Sequence, residues 1–171
     1  MQSYPIEIVS YDPTWPEQYE LERTRLQAAI GDRVVRFEHM GSTSVPGLAA
    51  KPIVDVSAAV KSLSDVVELL PKLGALGYRL IPQKSTDRYD LWHCPVGPRP
   101  QHILHFMQVD SDAWIRPLIF RNALRADPEL RRRYMELKSQ LAQACGEDID
   151  QYGSAKSEFI CQVVNAFLEG Q

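Results

Sequence analysis

Glu38-His39-Met40-Gly41-Ser42-Thr43-Ser44-Val45-Pro46-Gly47-Leu48-Ala49-Ala50-Lys51-Pro52-Ile53-Val54-Asp55-Val56-Ser57 is the stretch on which the fold of this chain turns. Its first residues finish a strand-like segment that begins at Val34. Gly41-Ser42 then turns the chain, a compact loop follows, and a second strand is expected from Ile53 to Val60. Successive strand side chains alternate between faces, so Val54, Val56, Ala58 and Val60 share an apolar face. Asp55 and Ser57 share the opposite face. The loop is short enough for the two strands to be neighbours, which brings the turn close to Asp55. Glycine lets other groups approach the backbone closely, and the amides of such a turn suit a phosphate.

Asp55 lies among apolar neighbours, a costly place for a carboxylate without a metal, a cation or hydrogen-bond donors. Two readings follow: a metal or substrate contact, or a structural acid bonded to loop amides. Thr43, Ser44 and Gly47 fit the same loop, either at a ligand or as turn residues. Ser57 offers a hydroxyl but no second negative charge, and two-metal phosphoryl chemistry uses that charge. A working centre of that kind needs another carboxylate, and Glu38, Asp87 and Asp90 are the candidates.

Outward from this stretch, Thr14-Trp15-Pro16-Glu17 reads as a helix start with Thr14 and Glu17 capping reciprocally. The helix is expected to reach Ile30 and to turn Tyr19, Leu26 and Ile30 inward. A helix over Ser64–Leu76 is shortened or kinked by Pro71. Strands follow at 78–81, 89–94 and 102–109, the last two joined through the turn at 95–100, so part of the sheet is antiparallel. From Ser111 the chain becomes helical. Asp127-Pro128-Glu129 starts one helix, and Phe159, Ile160, Val163, Val164, Phe167 and Leu168 form the inner face of a last one. The expected architecture is one α/β domain over 1–171, with a core over 1–110 and a helical part over 111–171.

His102 and His105 stand three apart on a strand and face opposite sides, so they do not chelate one metal together. His105 is the candidate for the cleft, on the side of Ile103 and Met107. His39 either touches phosphate or braces the loop, and His93 reads as structural. Lys51, Arg99 and Arg121 are candidate phosphate contacts. Arg121 and Lys156 reach a ligand only if the C-terminal helices fold back over the cleft. Arg131-Arg132-Arg133 reads as a solvated helix face.

With 171 residues, 44% hydrophobic and 24% charged, the chain has the composition of an ordinary globular protein. A net charge of -3 gives no electrostatic reason to expect nucleic acid or an anionic membrane as partner. There is no membrane-spanning run or signal pattern. Cys94, Cys145 and Cys161 are odd in number and far apart, so they suggest neither a disulfide framework nor a Cys-based zinc site. A reducing cytoplasm is the expected setting.

These motifs together resemble the GrpB family, a group of small bacterial proteins in the nucleotidyltransferase-like superfamily. The resemblance begins at Tyr11-Asp12-Pro13-Thr14-Trp15-Pro16. It is densest at His39–Leu48 and Lys51–Asp55, and returns at Leu104-His105, Phe120-Arg121 and Ala155-Lys156. It implies a nucleotidyltransferase-like mixed sheet flanked by helices, and similar domains occur fused to dephospho-CoA kinase. Carried onto this chain, Gly41, Ser42 and Asp55 take the phosphate and metal positions of the superfamily, with Mg²⁺ as the implied cofactor. His105 matches the family's histidine on a later strand, and catalysis would fall to Asp55 and His105. Thr43, Ser44, Lys51, Ser57, Arg99, Arg121 and Lys156 complete the expected substrate site. Two departures stand out: Ser57 replaces a second acid, and Asn122 follows Arg121 where an Asp is common. The expected ligand is a nucleotide or another phosphorylated small molecule. The two readings are Mg²⁺-dependent nucleotide transfer to an acceptor and a degenerate module that binds without turnover.

Overall fold

The two strands of the central stretch form side by side. In the computed structural model, which describes residues 5–82, 86–95 and 99–170, β1 runs Arg36–Met40 and β2 runs Val54–Val60. They pair antiparallel, with Met40 opposite Asp55 and Glu38 opposite Ser57. β3 (Tyr78–Leu80), β4 (Arg88–His93) and β5 (His102–Gln108) complete a sheet in the order β1-β2-β5-β4-β3. β2 and β5 run parallel, and the other neighbours antiparallel. This is the mixed α/β sheet the sequence predicts. The turn expected over 95–100 falls partly at 96–98, outside the described residues, but its ladder closes at His93 opposite His102.

One face of the sheet is covered by the N-terminal helices α1 (Trp15–Ile30) and α2 (Val66–Ala75). Trp15, Tyr19, Leu26 and Ile30 of α1 and Leu69 and Leu73 of α2 pack on Val54, Val56, Ala58 and Val60. Each fully buried Leu or Ile contributes about 1.5–3 kcal/mol. The start of α1 differs from expectation. Thr14 makes no side-chain cap; Asp12 Oδ1 accepts from the Thr14 amide and hydroxyl instead. α2 is shorter than the pattern suggests, because residues Leu63–Asp65 form a 3-10 turn opened by Ser62 and Pro71 removes a ladder bond.

The other face, which carries Asp55 and Ser57, is covered by the C-terminal helices. α3 (Asp112–Ala126) is capped by Ser111 and α4 (Pro128–Cys145) by Asp127. A short α5 (Ile149–Ala155), capped by Asp148, precedes α6 (Ser157–Glu169). The sequence pattern does not show α5. Trp114 packs on Ala59 and Met107 of the sheet. Phe120, Leu124, Tyr134 and Val164 meet Val45 and Leu48 of the central loop in a second core. The helices therefore fold back over the Gly-Ser turn. Arg132 pairs with Glu129 and Glu136 on the exposed side of α4, as a solvated face should.

Candidate functional site

Sheet register lays a polar row behind the site. Glu38 lies opposite Ser57, Ser57 beside His105, and His105 opposite Asp90, so four polar residues cross β1, β2, β5 and β4 in one row. Asp55 stands two residues from that row, on the same face. His105 bridges two acids: Nδ1 is 2.7 Å from Asp90 Oδ1, and Nε2 is 3.3 Å from Asp55 Oδ1. Burial by itself would lower the His105 pKa, but the hydrogen bonds and charges of the two carboxylates outweigh it and raise it to about 9. At neutral pH the imidazole is thus a cation held between two anions.

The Gly-Ser turn meets Asp55 from above. Gly41 has φ of 68°, and a Cβ there would lie 1.9 Å from Asp55 Oδ2, so this position needs glycine on both counts. The loop after it is internally braced. Ser44 Oγ donates to the Gly41 carbonyl at 2.6 Å, and His39 Nε2 is 3.0 Å from Thr43 Oγ1 while its ring stacks on Tyr19. Burial pushes the His39 pKa down to about 4, so a neutral ring braces the loop.

Between the segment from Gly41 to Asp55 and the helices lies a cleft of about 360 Å³. Gly41, Ser42, Thr43, Lys51 and Asp55 line it from the core, and Arg116, Arg121, Tyr134, Lys138, Tyr152 and Lys156 from the helices. The lysines set its character. Lys138 is 2% exposed, and its Nζ donates to the Ala49 carbonyl and lies 5.0 Å from the centre of the Tyr134 ring. Lys51 and Lys156 share the Tyr152 ring, at 5.1 and 4.2 Å. Burial lowers all three pKa values, that of Lys138 to about 7 and that of Lys156 to about 8, with Lys156 acting on Lys138 and Lys51 on Lys156. Among the described residues no carboxylate forms an ion pair with any of them. Lys138 is buried, Lys51 and Lys156 are half-buried, and the one opposite charge that acts on the latter two is that of Asp55, on the same cavity wall. Holding three amines around one cavity is costly without further negative charge.

The structure gathers most of the predicted residues and sets others aside. Gly41, Ser42, Thr43, Lys51, Asp55, Arg121 and Lys156 line the cleft, while Ser44, Ser57, Arg99 and His105 are not on its wall. Ser57 is 1% exposed within the polar row. Ser44 is used locally, and its carbonyl accepts from Arg125. Arg99 pairs with Glu7 at 2.8 Å instead of turning to the cleft. Arg121 is committed to the sheet, donating to Glu38 Oε2 at 2.7 Å and to the His39 carbonyl at 2.9 Å. Lys138, Tyr134, Tyr152 and Arg116 are absent from the sequence reading. Lys138 had a signal, a lysine four residues after Tyr134 on the apolar side of its helix.

A mixed sheet with a Gly-Ser turn over an aspartate, roofed by helices, defines a nucleotidyltransferase-like fold. Cid1 in complex with a UTP analogue aligns with TM-score 0.53 at 14% identity, over 80% of this chain and 43% of that one, a likeness of fold alone. The GLD-2/RNP-8 complex aligns with TM-score 0.56 at 17% identity, covering 77% and 55%. The family model for the GrpB protein matches residues 5–166, and the chain belongs to the GrpB family. GrpB from Enterococcus faecalis superposes with TM-score 0.85 at 36% identity, covering 96% of this chain and 98% of that one. A UPF0157 protein of Halalkalibacterium halodurans is 33% identical over 160 residues, 93% of this chain and 80% of its own length. A dephospho-CoA kinase of Mycolicibacterium paratuberculosis is 32% identical over 180 residues, 89% of this chain, which spans only 43% of that protein.

Proposed function

We propose that the cleft binds a nucleotide or a similar phosphorylated small molecule, with its phosphates among Lys51, Lys138 and Lys156. The observation that carries this reading is the trio of lysines, Lys138 buried and Lys51 and Lys156 half-buried, that share one cavity with the single carboxylate of Asp55 and the Gly41-Ser42 turn. Phosphate oxygens would supply the missing negative charge through charge-assisted hydrogen bonds. Tyr134, Tyr152, Phe120, Leu124 and Ile160 give the same cavity apolar walls for a base or a pantetheine-like arm. The net charge of -3 favours a small ligand over nucleic acid.

The donor set fits one Mg²⁺ shared between Asp55 and the phosphates of a ligand. Such an ion supplies neutralisation of phosphate charge. Two of the three candidates for a second metal carboxylate are engaged elsewhere: Glu38 is tied to Arg121 and Arg36, and Asp90 is separated from Asp55 by the imidazole of His105. What the chain's own residues do is bind and orient. The Gly41-Ser42 turn and the lysines hold phosphate, Asp90 fixes the His105 ring, and His105 fixes Asp55. Nucleotide transfer by the isolated protein is therefore slow or absent, and binding outlasts chemistry.

Calorimetric titration with ATP, UTP and dephospho-CoA, with and without Mg²⁺, tests this reading. Saturable binding that weakens at least tenfold in Lys138→Met and in Lys156→Met is expected. Binding indifferent to both substitutions, or amide shifts confined to the α1/α2 face of the sheet, would overturn it.

A further inference from the structure

The opposite face of the sheet carries a second cluster, independent of the cleft. At the end of the sheet where β4 stops and β5 starts, His93 and His102 are direct cross-strand partners. Both rings point to the α1 side, where Glu22 meets them. Donor atoms of the three side chains all lie within 4.8 Å of one another. We propose that Glu22, His93 and His102 form a site for a divalent transition-metal ion of the zinc or cobalt type, joining α1 to β4 and β5.

Four observations support the assignment. The first is the spacing of the imidazoles: His93 Nδ1 and His102 Nδ1 are 3.4 Å apart. Two nitrogens bound at about 2.0–2.1 Å to one tetrahedral ion are separated by about 3.3–3.4 Å. The contact is a hydrogen bond between the two rings, which an ion of that span would replace. The second is access: His93 and His102 are half-buried, so their ring nitrogens are not sealed from solvent.

The third is how the ligands are held. The Tyr78 hydroxyl donates to Glu22 Oε1 at 2.7 Å, and Arg25 brackets the carboxylate, leaving Oε2 with a single bond from Arg25 Nε at 3.0 Å. These contacts orient the carboxylate. Outer partners of this kind are what metal-binding side chains ordinarily have. The His93 ring stacks on Tyr78 at 5.1 Å and on His102 at 5.7 Å. The fourth is Gly77, which has φ of 86° and would place a Cβ 3.2–3.3 Å from the His93 ring, so the backbone is shaped around that imidazole.

Two nitrogens and one carboxylate favour a borderline ion over Mg²⁺, which prefers an all-oxygen shell. A water would take the fourth position. The positive charge of Arg25 opposes the ion, while Glu22 lies between them and offsets it.

Titration of the metal-free protein with Zn²⁺ and Co²⁺ tests the site. One equivalent should bind per chain, with Co²⁺ giving the visible absorption of a tetrahedral complex. Affinity should fall at least tenfold in His93→Ala and in His102→Ala, fall in Glu22→Gln, and be unchanged in Asp55→Asn. The chain has four histidines, so ring ¹⁵N spectra of the unsubstituted protein give a readout that does not depend on any variant folding. Zn²⁺ should move the His93 and His102 signals and leave those of His39 and His105 in place. Absence of stoichiometric binding, survival of binding in the His93→Ala/His102→Ala pair, or shifts at His105 in place of His93 would overturn the assignment.

Discussion

Two residues set the chemistry around Asp55, one on the cleft wall and one behind it. Gly41 combines a left-handed backbone with a Cβ position occupied by Asp55 Oδ2, so Gly41→Ala brings both backbone strain and a clash. A loss of about 2–4 kcal/mol is expected in urea denaturation, from the strained φ and the displaced carboxylate. His105 is the second. Its folded-state pKa of about 9 lies above the unfolded value near 6.5. Its ion-pair stabilisation is therefore fully present below about pH 6.5 and is lost as pH rises through about 9. Asp90→Asn should destabilise the protein more at pH 6 than at pH 10, and should shift the titration of the His105 ring downward in NMR. Equal destabilisation at both pH values would mean that Asp90 acts through packing alone. Ser57 lies beside His105, so Ser57→Asp should pair with the imidazole and leave pyrophosphate release from ATP at background. Turnover gained in that variant would show that a second carboxylate there restores metal chemistry.

At the scale of elements, the helical roof decides whether the floor becomes a site. α3, α4 and α6 are locked by Phe120, Tyr134 and Phe159, whose ring centroids are 5.0–6.4 Å apart in edge and stacked arrangements. Phe120 also lines the cleft. Phe120→Ala should cost about 3–5 kcal/mol, as large-to-small changes in a packed core do. It should weaken nucleotide binding as well, because Lys138 and Lys156 then lose their fixed positions. A thermal melt paired with calorimetry reads both effects. Unchanged affinity in a destabilised variant would separate the roof from the site. The lysines sit on α4 and at the start of α6, and Lys138 is held by Tyr134 one turn earlier. The spacing of Tyr134 and Lys138 on one helix face therefore matters more than either residue alone.

For the molecule as a whole, a chain of net charge -3 gathers three lysines in one cleft. Anion binding there depends on lysine protonation. With Lys138 near 7 and Lys156 near 8 in the free protein, affinity should fall as pH rises from 7 to 9. ATP is a suitable probe, since its last phosphate ionisation, with a pKa of about 6, leaves it no less negative as pH rises over that range. Its dissociation constant should rise at least tenfold over that range, and the profile should flatten in Lys138→Met. A flat profile in the unsubstituted protein would remove the lysines from the site. Among the described residues no helix is long and apolar enough to cross a membrane.

The strands, the turn, the helical C-terminal part and the side of the sheet that Asp55 takes were legible in the sequence, because each rests on local rules. Alternation assigned the faces of β2, glycine marked the turn, and Asp127-Pro128 marked the start of α4. Opposite facing of His102 and His105 follows from strand geometry and holds. The partners of these residues were not legible. Arg99, a candidate by charge alone, pairs with Glu7, because a loop places the guanidinium away from the cleft. Asp90 reached His105 and Glu22 reached His93 and His102 only through sheet register and helix docking, neither of which leaves a trace in residue spacing. Lys138 reads as a surface lysine until α4 packs over the loop and buries it. Local propensity and pattern determined which elements form and which face each residue takes. Tertiary packing alone decided which charges are left without a partner, since burial and ion pairing depend on residues far apart in sequence.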